Sequence, residues 1–133
     1  MDRVKDAMVA DPPMLEGDAS AQEAGEALSR PEVRAVFVCD EGRLVGVVTR
    51  KTLVREVVAA GRDPRGTELR AIAEVPLNTI GSDLPLDEAF RFLEEQDLER
   101  VPVVEDGRLV GVLSRAVLQR RLAEDEPPAA EEI

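Results

Sequence analysis

Glu41-Gly-Arg-Leu-Val-Gly-Val-Val-Thr-Arg50 returns 65 residues further on as Asp106-Gly-Arg-Leu-Val-Gly-Val-Leu-Ser-Arg115. The same offset, carried without a gap from Val4–Val58 onto Leu69–Ala123, matches Asp18 with Asp83, Glu23 with Glu88, Ala24 with Ala89, Leu28 with Leu93, Val36 with Val101 and Val38 with Val103. About 15 of the 55 pairs are identical, several times the chance level, so the chain is an internal duplication.

Each half reads as β-α-β-β-α. Ala21, Ala24 and Leu28, and in the copy Leu86, Ala89, Phe90 and Leu93, have the spacing of an amphipathic helix. Asp18 or Ser20 suits the cap of the first helix and Pro85 the first turn of the second; the recurring Asp83 also reads as a cap. Ala35–Cys39 and Val101–Val104 are short β-prone runs. Each is followed, across a Glu-Gly or Asp-Gly turn, by a second run over 43–48 or 108–113, which makes a hairpin in each half. Thr49 and Ser114 then open a second helix carrying Leu53/Val57 or Leu118/Leu122, and extended pieces around Leu15 and Ile80 precede the first helices. The division is residues 1–60 for the first repeat, 61–67 for a linker, 68–123 for the second repeat and 124–133 for an acidic, disordered tail. Two halves related by pseudo-twofold symmetry in a mixed α/β fold share the burial that neither manages alone. The pairing leaves a cleft lined by equivalent loops and helix N-termini, suited to an anionic small molecule.

Composition excludes several chemistries. With no His and a single Cys there is no His general base, Cys–His pair, zinc finger or thiol redox motif, and Cys39 reads as a buried strand residue. Lys and Arg number 17 against 28 Asp and Glu, a net charge of −11 that disfavours nucleic acid as a partner; the absence of Trp and Tyr removes most base-stacking surface. No apolar run approaches the ~20 residues of a membrane span, and the start of the chain lacks the pattern of a leader, which points to a cytoplasmic protein without a membrane partner.

The residues that carry the duplication resemble the CBS domain, named after cystathionine beta-synthase and found in tandem as the Bateman module. The resemblance rests on Val4-Lys-Asp-Ala-Met8, on Glu23-Ala24, and on the block from Arg100 to Arg115 echoed by Ala35–Arg50, and it spans about residues 3–123. It implies a stand-alone, non-enzymatic regulatory protein with no catalytic residue, no metal and no required cofactor. Its expected regulatory ligand is AMP, ADP, ATP or S-adenosylmethionine. Its expected partners are a second copy, bound through the helices, and an unknown regulated protein.

The resemblance also implies site residues. Thr49 and Ser114 match the family's phosphate-contacting hydroxyl, followed directly by Arg50 and Arg115. Leu15, Val36 and Phe37, with Ile80, Val101 and Pro102 in the copy, match positions that flank the adenine. Where the family places a ribose-holding Asp three residues after the hydroxyl, this chain has Thr52, which brings one hydroxyl, and Val117, which brings nothing polar. Each hydroxyl has a plainer reading as a helix cap, and Gly46 and Gly111 a plainer one as packing sites within strands. The leading expectation is a sensor of an adenosyl or related phosphorylated ligand that modulates a partner protein. The alternative is a dimeric interaction scaffold that has lost nucleotide binding.

Overall fold

The computed structural model describes residues 2–76 and 78–124, and the tail expected over 124–133 lies, beyond Glu124, outside the described residues. In chain order the elements are α1 (Val4–Ala7), β1 (Val9–Ala10), β2 (Met14–Glu16), α2 (Ala21–Leu28), β3 (Val36–Asp40), β4 (Arg43–Val48) and α3 (Arg50–Leu53), which continues as a π-helical turn over Val54–Val58. They are followed by α4 (Leu69–Ile72), β5 (Ile80–Gly81), α5 (Leu86–Glu95), β6 (Arg100–Glu105), β7 (Arg108–Ser114) and α6 (Arg115–Glu124). This is the mixed α/β fold of two β-α-β-β-α repeats, with a short entry helix added before each.

The chain forms two compact units. One, the N-repeat unit, comprises Asp11–Leu77 with Asp106–Leu109; the other, the C-repeat unit, comprises the described parts of Met1–Ala10, Asn78–Glu105 and Val110–Ile133. The compact unit is therefore not the sequence repeat. The opening segment of each copy, α1–β1 or α4, is built into the unit that holds the other copy's hairpin.

In the N-repeat unit β2 runs parallel to β3, pairing Leu15 with Val38, and β3 pairs antiparallel with β4 at Val36↔Val48 and Phe37↔Val47. The Glu41-Gly42 turn places both residues at positive φ, 52° and 88°, the conformation a tight hairpin requires. The register slips by one residue after Val38, so Val45 bulges outward. Ser20 is the N-cap of α2, and with Glu23 it forms a reciprocal box: the Ser20 N–H donates to Glu23 Oε2 at 2.8 Å and the Glu23 N–H to Ser20 Oγ at 3.2 Å. The core gathers Ala21, Ala24 and Leu28 of α2, Val36, Val38 and Val48 of the hairpin, Val57, and Leu69 and Ile72 of α4.

The C-repeat unit repeats this plan. β5 is parallel to β6 at Ile80↔Val103, and β1 pairs antiparallel with β7 at Val9↔Val112; the β6–β7 hairpin turns at Asp106-Gly107, at φ of 51° and 81°, within the Asp106–Leu109 stretch that groups with the N-repeat unit. Its core joins Val4 and Ala7 of α1 to Leu86, Ala89 and Leu93 of α5, Val101 and Val103 of β6, Leu113 and Leu118. Phe90 and Phe92 pack half-buried against it. Pro85 precedes α5 as its N-cap residue. Asp83, expected as a cap, instead receives the Lys5 ammonium at 3.0 Å, and its carbonyl accepts a bond from the Arg3 guanidinium at 2.6 Å. The ion pair raises the Lys5 pKa and lowers that of Asp83, chiefly through their mutual hydrogen bond.

Gly46 and Gly111 show why the entry segments fit. A Cβ on Gly46 would lie 2.5 Å from Cβ of Ala73, and one on Gly111 would lie 2.6 Å from Sδ of Met8 and 2.9 Å from the Val9 carbonyl oxygen. Packing is thus the reason for glycine at both sites, and the element that approaches is the incoming segment. The Val47 and Glu74 backbones exchange hydrogen bonds of 2.8 and 2.9 Å beside this contact. Gly46→Ala is expected to cost about 1–3 kcal/mol in urea unfolding, the usual penalty for forcing an atom into a filled site; a stability equal to wild type would refute the close approach.

Candidate functional site

The expected site residues fall into two equivalent groups, one in each unit, at the end of the hairpin where a strand hands over to a helix. In the N-repeat unit this group holds Leu15, Val36, Phe37, Thr49, Arg50 and Thr52. Leu15 is half-buried, Val36 is 1% exposed and Phe37 7% exposed. The β2–β3–β4 register sets these three beside one another, so their apolar surface is largely spent on the core of the unit.

Thr49 is the N-cap of α3, and its hydroxyl accepts from the Thr52 N–H at 3.3 Å. The Thr49 N–H donates back to Thr52 Oγ1 at 3.0 Å, and the two hydroxyls lie 3.1 Å apart. This is a capping box in which a threonine takes the place usually held by Glu or Gln. Thr52 has no exposed surface, so its hydroxyl serves the cap and offers nothing to a ribose in this conformation. Arg50 directs Nη2 to the carbonyls of Arg30 and Val33, each at 2.9 Å, tying the helix start to the turn after α2.

In the C-repeat unit the group is Ile80, Val101, Pro102, Ser114 and Arg115. Ile80 is 7% exposed, Val101 fully buried and Pro102 buried. The equivalent hydroxyl is less committed: Ser114 Oγ accepts from the Val117 N–H at 3.4 Å, and Val117 has no group with which to reciprocate. Half-buried Ser114 therefore keeps hydrogen-bonding capacity at a helix start, where free N–H groups and the helix dipole favour an anion. Arg115 bonds Glu99 Oε1 at 2.5 Å and lies 3.7 Å from Asp97 Oδ1, with 22% of its side chain exposed. Both arginines thus fasten the turn before the hairpin to the helix after it, a packing task that their place in the sequence does not announce.

Cys39 is fully buried on β3, and burial raises the pKa of its thiol. Among the described residues no group of three or more His, Cys, Asp and Glu is placed to hold a metal, and no helix is long and apolar enough to cross a membrane.

Thr49→Ala is expected to cost about 1 kcal/mol of stability and Ser114→Ala distinctly less, because only the first dismantles a two-way cap; equal losses in denaturant titrations would contradict the asymmetry. The raised Cys39 pKa carries a sign. The folded state holds its thiol proton more tightly than the unfolded chain, so this contribution is complete below the ordinary thiol value of about 8.5 and declines as pH rises beyond it. Cys39→Ala should flatten that decline, and alkylation of Cys39 in the native protein should proceed only through unfolding, checked by mass spectrometry.

Comparison with known proteins agrees with this geometry. The model of the CBS domain matches residues 4–59 and again residues 69–124. Hypoxic response protein 1 of Mycobacterium tuberculosis is 29% identical over 102 residues, covering 76% of this chain and 71% of that protein. The CBS domain-containing protein YhcV of Bacillus subtilis is 25% identical over 114 residues, covering 86% and 81%. Among solved structures, Hypoxic Response Protein I with two coordinated zinc ions superposes with a TM-score of 0.77 at 25% identity, covering 91% of this chain and 99% of that one. CBSX2 in complex with AMP superposes at 0.74 and 26% identity, covering 93% and 98%. With a duplicated hairpin-and-helix plan and two family matches that take in nearly all of it, the chain belongs to the CBS domain family as a tandem pair.

Proposed function

We propose that this CBS pair is a regulatory module that binds an adenosyl nucleotide and, on binding, alters its action on a partner protein. The observation that carries the reading is the AMP complex of CBSX2, whose fold this chain shares over nearly its whole length. Within the chain, support comes from Ser114, a hydroxyl at a helix start with unspent hydrogen-bonding capacity. The ligand acts by population shift: it favours the conformation to which it binds best, and the partner responds to that conformation. We further propose that the protein is a homodimer and works without an enzymatic step. The zinc of the Hypoxic Response Protein I structure is not carried over, since this chain has no His and its one Cys is buried, which leaves carboxylates alone as donors.

A second reading, an interaction scaffold without a ligand, is favoured by one observation: Thr52 is sealed in its cap and Val117 is apolar, so neither copy presents a carboxylate to a ribose.

Thermal unfolding followed by circular dichroism, which needs no Trp, separates the two readings. AMP, ADP, ATP or S-adenosylmethionine at 100 times its dissociation constant should add about 2.7 kcal/mol, and the gain should shrink in Ser114→Ala. No shift with any of the four at millimolar concentration favours the scaffold. Val117→Asp should raise nucleotide affinity roughly ten- to a hundredfold by supplying a charged hydrogen-bond acceptor at the helix start; unchanged affinity would remove this strand-to-helix junction from the ligand site.

A further inference from the structure

A thioether helps to hold the entry segment on the C-repeat unit. Sδ and Cγ of Met8 fill the space directly over Gly111 of β7, where a Cβ would lie 2.6 and 3.0 Å from them. Met8 is also the C-cap residue of α1, its N–H donating to the Val4 carbonyl at 2.9 Å, and its side chain packs half-buried against the core of the unit. β1, which follows it, is only two residues long and pairs Val9 with Val112 and Ala10 with Gly111, so its hold on β7 is short. In the N-repeat unit the same contact, with Gly46, is made by Cβ of Ala73, a methyl group that mild oxidants leave alone. Met14, on β2, is 41% exposed and stands outside the core of its unit.

We propose that Met8 is a site of reversible oxidation by peroxide, and that its sulfoxide loosens the α1–β1 segment from β7 and so destabilises the C-repeat unit alone. A lone pair on Sδ attacks one oxygen of hydrogen peroxide, the O–O bond breaks, and the other oxygen leaves as water. The sulfur is oxidised by two electrons to the sulfoxide and the peroxide is reduced; a thiol-dependent reductase reverses the change. Met8 is exposed enough for peroxide to reach it and packed enough for the product to matter. The sulfoxide is bulkier and strongly polar, and the space over Gly111 is already filled. The polar group nearest that space is the Val9 carbonyl oxygen, 2.9 Å from the position of a Gly111 Cβ. It is an acceptor, and a sulfoxide oxygen, also an acceptor, gains no hydrogen bond from it. Keeping the oxidised side chain in place would bury an unpaired polar group, so it turns out to water and its packing against α1, α5 and β7 is lost.

Treatment of the full chain with hydrogen peroxide tests this, with peptide mass spectrometry to locate the added oxygen and circular dichroism to follow thermal unfolding. Wild type should gain oxygen at Met8 as well as at the more exposed Met14, and its Tm should fall by about 4–8 °C. Met14→Leu should lose as much on treatment as wild type. Met8→Leu, which keeps the volume of the side chain, should unfold at the same temperature before and after treatment; Met8→Ala, which copies Ala73 of the other repeat, provides the same comparison should leucine not be accommodated. Three results overturn the proposal: Met8 left unoxidised when Met14 is fully converted, Met8 fully converted with no change in Tm, or a loss in the Met8 variants equal to that of wild type, which would place the effect at another residue.

Discussion

Two mid-strand glycines, Gly46 and Gly111, let a second stretch of backbone lie directly on β4 and on β7, and each unit depends on that approach. With any side chain there, Ala73 and Glu74 would be pushed off Val47, and Met8 and Val9 off Gly111 and Val112. The approaching stretches bring core with them. Leu69 and Ile72 arrive with α4, and Val4 and Ala7 with α1, all nearly or fully buried. Burying one such aliphatic side chain is worth about 1.5–3 kcal/mol, a large share of a small unit's net stability. A repeat of some 55 residues taken alone would expose that surface, which is the physical reason for the exchange of entry segments.

Duplication left two copies of one strand-to-helix junction, and the copies have since taken different hydrogen bonds. Thr49 and Thr52 satisfy each other, closing the start of α3 at the expense of its capacity for a ligand. Ser114 has only the long bond from Val117, so its hydroxyl at the start of α6 keeps the greater hydrogen-bonding capacity. Arg50 and Arg115 have kept a shared task, yet by different means: one bonds backbone carbonyls, the other carboxylates. The second helices diverge too. α6 is regular to Glu124, while α3 gives way to a π-helical turn in which the Ala59 N–H reaches back to the Val54 carbonyl at 2.8 Å.

Much of this was legible in the residues because it is locally encoded. The two hairpins follow from β-prone runs flanking Glu41-Gly42 and Asp106-Gly107, where a tight turn needs positive φ; α2 and α5 follow from their apolar spacing, and the cap of α2 is narrowed to Asp18 or Ser20, of which the structure selects Ser20. The entry helices α1 and α4 escaped that reading, since four residues complete barely one turn and show no periodicity. The candidate site was legible as a set of positions and less so as a set of functions. Val36 and Val101 belong to the core and Thr52 to a cap, and nothing in the identity of a residue declares whether its surface is already spent.

The sequence by itself determined the duplication, the order of the hairpin and its two flanking helices within each copy, and the divergence at Thr52/Val117, because each is a matter of local pattern or of comparing one copy with the other. Only the tertiary structure decided which entry segment closes which hairpin. Val9 pairs with Val112 and Glu74 with Val47, whereas two such similar copies would offer either segment nearly the same strand and the same glycine. Long-range pairing of that kind depends on chain connectivity and on the burial of α1 and α4, and neither leaves a periodic trace in the residues themselves.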